Sequence, residues 1–148
     1  SVDYFPALVA LVSSHEKQGV GIHRIYLTSA GEKAPVEKNK KLMAGKPLNG
    51  SSIKLCGFGE VLGIAEGIET ALAASRKFSV PTWAAITAGL LEQWLPPEGV
   101  KKVIVFGDND ASFTGQASAY ALAKKLRLKG IEVDVMIPEL AGKDWADD

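Results

Sequence analysis

A single cysteine, Cys56, stands in a chain of 148 residues, so an internal disulfide is excluded and a reducing, cytoplasmic setting is expected. By itself Cys56 reads as a small core residue. Histidine is nearly as scarce. His15 and His23 lie far apart without the spacing of metal ligands, and both read as structural or surface residues. No apolar stretch approaches the roughly 20 residues of a membrane span, and the N-terminus shows no charged-then-apolar signal pattern. No membrane partner is therefore expected. Gly57-Phe58-Gly59 falls short of a full Gly-x-Gly-x-x-Gly, which leaves dinucleotide binding with little support. Repeats and low-complexity tracts are also missing.

What is present is apolar content and unevenly spread charge. With 47% hydrophobic residues the chain can bury a core, and its length fits one ordinary domain. Formal charge is zero, but residues 1–58 carry 8 Lys/Arg against 4 Asp/Glu, and residues 59–148 carry 9 against 13. A basic half beside an acid-rich half suits a metal centre with an anionic polymer partner.

The pattern divides near the same place. Ala7–Val12 and Val20–Thr28 read as antiparallel strands. Residues 33–46, with Lys33, Lys38, Lys40, Lys41 and Lys46, read as a loop or a short helix near Leu42-Met43. A turn-rich Pro47–Ser52 and a short strand near Ile53–Cys56 follow, and mark the expected boundary of an appended lobe. We take residues 1–58 as a basic, β-rich lobe and 59–148 as the core. In the core, strand and helix alternate: strand Val61–Ala65, helix Ile68–Phe78 spaced through Ile68, Leu72, Ala73 and Phe78, strand Thr82–Thr87, and a short helix Leu90–Leu95 stopped by Pro96-Pro97. Then come strand Lys102–Phe106, an amphipathic helix Gly115–Lys129 capped by Gly130, and strand Ile131–Ile137. Such alternation predicts a mainly parallel sheet flanked by helices, with sites at the carboxyl ends of its strands. Trp83, Trp94 and Trp145 read as core or interface residues.

Both acidic motifs fall at those ends. Val103–Phe106 runs into Gly107-Asp108-Asn109-Asp110, and Val61–Ala65 stops at Glu66. If the chain stays extended, Asp108 and Asp110 share one side. Gathered with Glu66 they would repel one another unless a hard divalent cation lay between them. Mg²⁺ prefers oxygen ligands and keeps water or phosphate in its remaining positions, which points to phosphate chemistry. The bland alternatives are turn formation by Asp and Asn after a strand, and helix capping by Glu69 in Glu66-Gly67-Ile68-Glu69-Thr70. Gly67 would permit a tight turn or close ligand approach, and Gly115 would leave room for a phosphate at a helix start. Gly142-Lys143-Asp144-Trp145-Ala146-Asp147 follows the last strand, so Asp144 and Asp147 are further candidate ligands.

Glu66 after the first core strand and Asp108-x-Asp110 after a later one resemble the Toprim domain, shared by bacterial-type primases, type IA and II topoisomerases and related nucleases. The run Glu66–Leu72, the glycine Gly115 downstream of the acids, and Gly142-x-Asp144-x-x-Asp147 are similar to Toprim primases and primase–helicases of phages and plasmids. The lysine-containing segment from His23–Leu27 to Leu48–Gly50 resembles the region that precedes Toprim in that group. The resemblance covers nearly the whole chain. It implies a Rossmann-like Toprim fold and metal-dependent nucleotidyl transfer, using nucleoside triphosphates on a single-stranded DNA template. Glu66 would act as general acid/base or metal ligand, and Asp108 and Asp110 would hold Mg²⁺ or Mn²⁺. Lys38, Lys40, Lys41, Lys46 and Lys143 would meet nucleic-acid backbone or phosphate. A replicative helicase, in cis or trans, is the implied protein partner.

The zinc module such primases often carry needs cysteines this chain lacks, and no helicase P-loop is present, so a piece of a longer protein is expected. Two rivals remain open: a Toprim nuclease directing water at a phosphodiester, and a non-catalytic module that binds nucleic acid or assembles a replication complex. A haloacid-dehalogenase-type phosphatase also uses Asp-x-Asp, but normally on its first core strand, so it ranks low.

Overall fold

The computed structural model describes residues 7–13, 19–26, 40–44, 50–139 and 145. Three strands form an antiparallel sheet in the order β1 (Ala7–Ser13), β2 (Gly19–Tyr26), β3 (Lys40–Ala44). Ala7 pairs with Tyr26 and Gly21 with Ala44, and a bulge falls between Val12 and Ser13. The lysine-rich stretch expected to be loop or helix thus contributes a strand at Lys40–Ala44. Its Ile25–Lys40 to Gly21–Ala44 pairing supplies backbone partners that local composition does not announce.

The core is a four-stranded parallel sheet, β4 (Val61–Ala65), β5 (Thr82–Ala84), β6 (Lys102–Phe106) and β7 (Glu132–Met136), in the spatial order β5-β4-β6-β7. Helix α1 (Ile68–Phe78) joins β4 to β5, α2 (Ala88–Gln93) joins β5 to β6, and α3 (Thr114–Leu128) joins β6 to β7. The mainly parallel α/β architecture with an antiparallel sheet before it is the one expected.

Alternation along each strand separates two hydrophobic layers. Leu62, Ile64, Trp83, Val103 and Val105 pack with Leu91 and Trp94 of the α2 segment and with Leu122 and Leu126 of α3. On the opposite face Ala65 and Ala84, beside Phe106, meet Ile68, Ala71 and Ala74 of α1. A Cβ on Gly63 would lie 2.5 Å from Thr82 Oγ1 and 2.8 Å from Phe106 Cε2, so only glycine fits there. The buried stripe of α1 is therefore Ile68–Ala71–Ala74, while Leu72, expected on that stripe, is 47% exposed. Close approach to the sheet at Ala65 and Ala84 selects alanine over leucine.

Two pairs of backbone bonds join the sheets. Ser13 and Ser52 exchange N–H···O bonds of 2.9 Å, and Ile53 and Ala84 exchange bonds of 2.7 and 3.1 Å. Val12 is fully buried in the same layer as Ile53 and α1. The segment after Ile53 forms no further ladder, and Cys56 is exposed rather than in the core, its carbonyl accepting the Trp83 indole N–H at 2.9 Å. Helix α3 ends as expected: Gly130 has φ +83°, and Ile131 N–H reaches the Leu126 carbonyl at 3.0 Å.

Candidate functional site

The chain leaves β4 through α1 to β5 on one side, then returns through α2 to β6 on the other side of β4. With α1 on one face and α2 and α3 on the opposite face, β4 and β6 flank the point where strand order reverses. Ligands of open α/β sheets bind at the carboxyl ends of strands at such a point. Ala65 pairs with Phe106, so Glu66 lies one residue, and Asp108 two residues, beyond the last paired position of neighbouring strands. Both acids stand at the same edge and both are half-buried.

The β4 turn is spare. The Glu66 carbonyl accepts the Ile86 N–H at 2.7 Å, which ties the turn to the end of β5. Gly67 is extended at φ −97°, a conformation open to any residue, and a Cβ there would meet nothing closer than Thr70 Oγ1 at 3.9 Å. Neither backbone strain nor packing requires this glycine; what it leaves is open space beside Glu66. Ile86 carries φ +86°, unusual for a β-branched residue. That turn ends β5 at Ala84, short of the expected Thr87, whose hydroxyl instead accepts Leu90 N–H at 3.1 Å and caps α2. The strained isoleucine has no sequence signal.

The β6 turn is braced throughout. Asn109 Nδ2 donates to the Pro138 carbonyl at 2.7 Å, and its Oδ1 accepts from Gln116 Nε2 at 2.9 Å. Gln116 also receives the Asp110 N–H at 3.3 Å and donates to the Asp110 carbonyl at 3.1 Å. Asp110 Oδ2 accepts the Gly115 N–H at 2.8 Å. A Cβ on Gly115 would fall 2.6 Å from that oxygen and 2.9 Å from the Asp108 carbonyl. The room expected there for a phosphate is filled by the acidic loop itself.

Because β6 ends at Phe106, the strand alternation that would set Asp108 and Asp110 on one side no longer applies, and Asp110 turns to the helix. Among the described residues no three His, Cys, Asp or Glu side chains are grouped as a metal site would require. The expected convergence of Glu66, Asp108 and Asp110 is therefore not seen. By donor type Glu66 and Asp108 still suit Mg²⁺, which is commonly held by one or two carboxylates with water and substrate phosphate completing the shell.

Gly142, Lys143, Asp144 and Asp147, along with Lys38, Lys46 and His15, lie outside the described residues. Lys40 and Lys41 lie on β3 and His23 on β2, where only the backbone is described. Trp145 does pack, edge-on to Phe78 and Phe106 at 5.2 and 6.2 Å, with its Nε1 3.4 Å from the Met136 carbonyl.

A parallel α/β sheet with acids after two adjacent strands defines a Rossmann-like class of site. The family model of the Toprim domain matches residues 61–148, and the chain belongs to that family. A second model, described as a domain of unknown function (DUF7146), matches residues 1–55. No curated protein matches the chain. Among solved structures it is similar to a DNA primase domain from Pseudomonas aeruginosa, at TM-score 0.64 and 11% identity over 95% of this chain and 46% of that one. The Aquifex aeolicus primase (zinc-binding and RNA polymerase domains) gives TM-score 0.64 and 16% identity, over 95% of this chain and 36% of that chain. The primase fragment of the bacteriophage T7 primase-helicase gives TM-score 0.64 and 16% identity, over 98% and 57%. At these identities the likeness is one of fold, and the chain spans about half or less of the two bacterial structures.

Proposed function

We propose that this chain is the Toprim catalytic module of a mobile-element primase, joining nucleotides on single-stranded DNA with Mg²⁺ or Mn²⁺. The observation that carries the reading is the placement of Glu66 and Asp108 across the switch point between β4 and β6. Family membership supports a nucleic-acid role. So does structural likeness to a DnaG primase catalytic domain bound to single-stranded DNA, at TM-score 0.63.

Glu66 takes the proton of the attacking hydroxyl, and the open space at Gly67 admits the phosphate group beside it. Asp108 and Glu66 would hold the cation through their carboxylate oxygens, and it would supply neutralisation of phosphate charge. Asp110 holds the loop through Gly115 rather than completing the donor set. Residues 59–148 form the catalytic core in this proposal. In the same proposal residues 1–58 are a basic lobe whose Lys38, Lys40, Lys41 and Lys46 meet the template backbone, Lys143 meets phosphate, and Asp144 and Asp147 are additional metal ligands.

The test is primer synthesis and strand cleavage scored side by side with the full-length protein, single-stranded DNA and nucleoside triphosphates. Synthesis that disappears in Glu66→Gln while the fold persists is expected. Cleavage without synthesis, also lost in Glu66→Gln, makes the protein a nuclease instead.

A further inference from the structure

Directly after the acidic loop the chain places Phe113 in the left-handed region, at φ +63° and ψ 11°, as the residue preceding α3. An aromatic residue there is strained, and such strain persists only where surrounding structure enforces it. Here the Phe113 N–H binds the Asp110 carbonyl at 3.1 Å, and the Phe113 carbonyl accepts from Ala117 at 2.9 Å. The ring is 69% exposed. Two turns on, Tyr120 is 59% exposed, with Ala117 and Lys124 exposed on the same helical face. Helix α3 contains no acidic residue and carries Lys124, Lys125 and Arg127. Lys125 is pushed below the ordinary lysine value, first by burial and then by the charge of Lys129. On α2 the Glu92 carboxylate accepts from the Ser118 hydroxyl at 2.9 Å, and the Glu92 backbone carbonyl accepts from Lys125 Nζ at 2.7 Å.

We propose that the outward face of α3 is a track for single-stranded nucleic acid, with Phe113 and Tyr120 as stacking platforms and Lys124 beside the phosphates. Exposed rings combined with uncompensated positive charge form the usual surface for a single strand, because every base offers a face for stacking. Seven residues of helix set the two rings roughly 10 Å apart, about three times the 3.4 Å repeat of a stacked strand. Ala117 between them keeps the surface low enough for a backbone to pass. The track begins at the loop holding Asp108 and Asp110 and leads away from it, so a strand lying there enters or leaves the proposed site. A protein partner is the poorer fit, since the cores of such interfaces are depleted in lysine. The inference rests on the reading above only for the kind of polymer that reaches the site.

The experiment measures anisotropy of labelled oligothymidylate, and of an abasic oligomer of equal length, with the full-length protein. Phe113→Ala and Tyr120→Ala should each weaken oligothymidylate binding about ten-fold, within the range of one base–aromatic stack, and leave abasic binding unchanged. Phe113→Trp and Tyr120→Phe should retain affinity. Lys124→Gln should weaken both oligomers and lower the salt slope by about one. Equal losses for both oligomers in the alanine variants, or no loss, overturn the track. A concentration-dependent change of oligomeric state in those variants, with DNA affinity intact, assigns the face to protein contact and also overturns it. Primer synthesis with binding independent of α3 sinks this inference alone. Binding through α3 without synthesis or cleavage sinks the catalytic reading and leaves the track standing.

Discussion

Strands β4 and β6 lie side by side, run in the same direction and each pass into a helix through an acid, yet the two turns are built on opposite plans. The β4 turn reaches α1 through two residues, Glu66 and Gly67, with no side-chain cap from Gly67 and no packing demand for glycine. The β6 turn takes seven residues, Gly107 to Phe113, and cross-braces them through Asn109, Asp110, Gln116 and the Pro138 carbonyl. The first leaves open space at Gly67; the second spends a carboxylate on holding its own shape. Two acids that look equivalent in Asp108-x-Asp110 therefore differ in setting: Asp110 braces the loop through the Gly115 N–H, and Asp108 is the one the proposed function takes as a metal ligand.

The sharpest way to break that contrast is to neutralise each acid in turn. Asp108→Asn should lower primer synthesis by about 10²-fold or more, the scale of losing a charge that works only in the transition state. Asp110→Asn keeps an oxygen for the Gly115 N–H and should retain synthesis within about ten-fold, equivalent to roughly 1.4 kcal/mol. Equal losses in steady-state assays would make Asp110 a site residue after all.

The glycines give the next largest effect. Gly115→Ala forces a methyl into Asp110 Oδ2 and the Asp108 carbonyl, so chemical denaturation should show a loss of about 1–3 kcal/mol, the range for overpacking. Gly67→Ala meets open space and should change stability by no more than about 0.5 kcal/mol, as surface substitutions do. Its larger effect should fall on the Michaelis constant for nucleotide, because the methyl occupies the space beside Glu66. Reversed magnitudes would refute the assignment of roles. Removing the brace alone, with Asn109→Ala, should cost about 1–3 kcal/mol at most, the penalty of unpaired partners, and should weaken synthesis through loop disorder that hydrogen exchange would register.

The smallest effect serves as a control at the opposite edge of the sheet. Lys102 is held above the ordinary lysine value, first by a hydrogen bond to Asp134, 2.9 Å away, then by that carboxylate's charge, with burial opposing. A raised folded-state value means its contribution is present up to the unfolded value near pH 10.5 and fades as pH climbs through the folded one. Thermal melts of Lys102→Met should run slightly below the parent at neutral pH, and the gap should close in strong alkali. A gap that widens there would reverse the sign.

Much of the parallel core was legible because its signals are local. Val61–Ala65 and Lys102–Phe106 are apolar runs ended by acids, and the observed strands occupy those ranges. Gly130 ends α3 because a left-handed position there favours glycine. Glu66 and Asp108 were placed at one sheet edge by the same logic. The misses have a different origin. Leu72 was assigned to the buried stripe by helical spacing alone, but α1 packs against Ala65, Ala84 and Phe106, and the last two come from strands distant in sequence. Lys40–Ala44 reads as loop until β2 offers its edge, and Cys56 reads as core until the chain is seen to leave the sheet after Ile53.

By itself, then, the sequence determined the alternation of strand and helix, the parallel sheet and the acids at its carboxyl edge, since each follows from periodicity and turn chemistry within a few residues. Only the tertiary structure decided which acids share the switch point. That placement depends on strand order and on where β6 stops, while the Gly115 N–H bond to Asp110 Oδ2 ties that carboxylate to the start of α3. It also decided that Phe113 and Tyr120 stand in solvent on a face without acids. Exposure is a property of what packs against a residue, and that is set by distant parts of the chain.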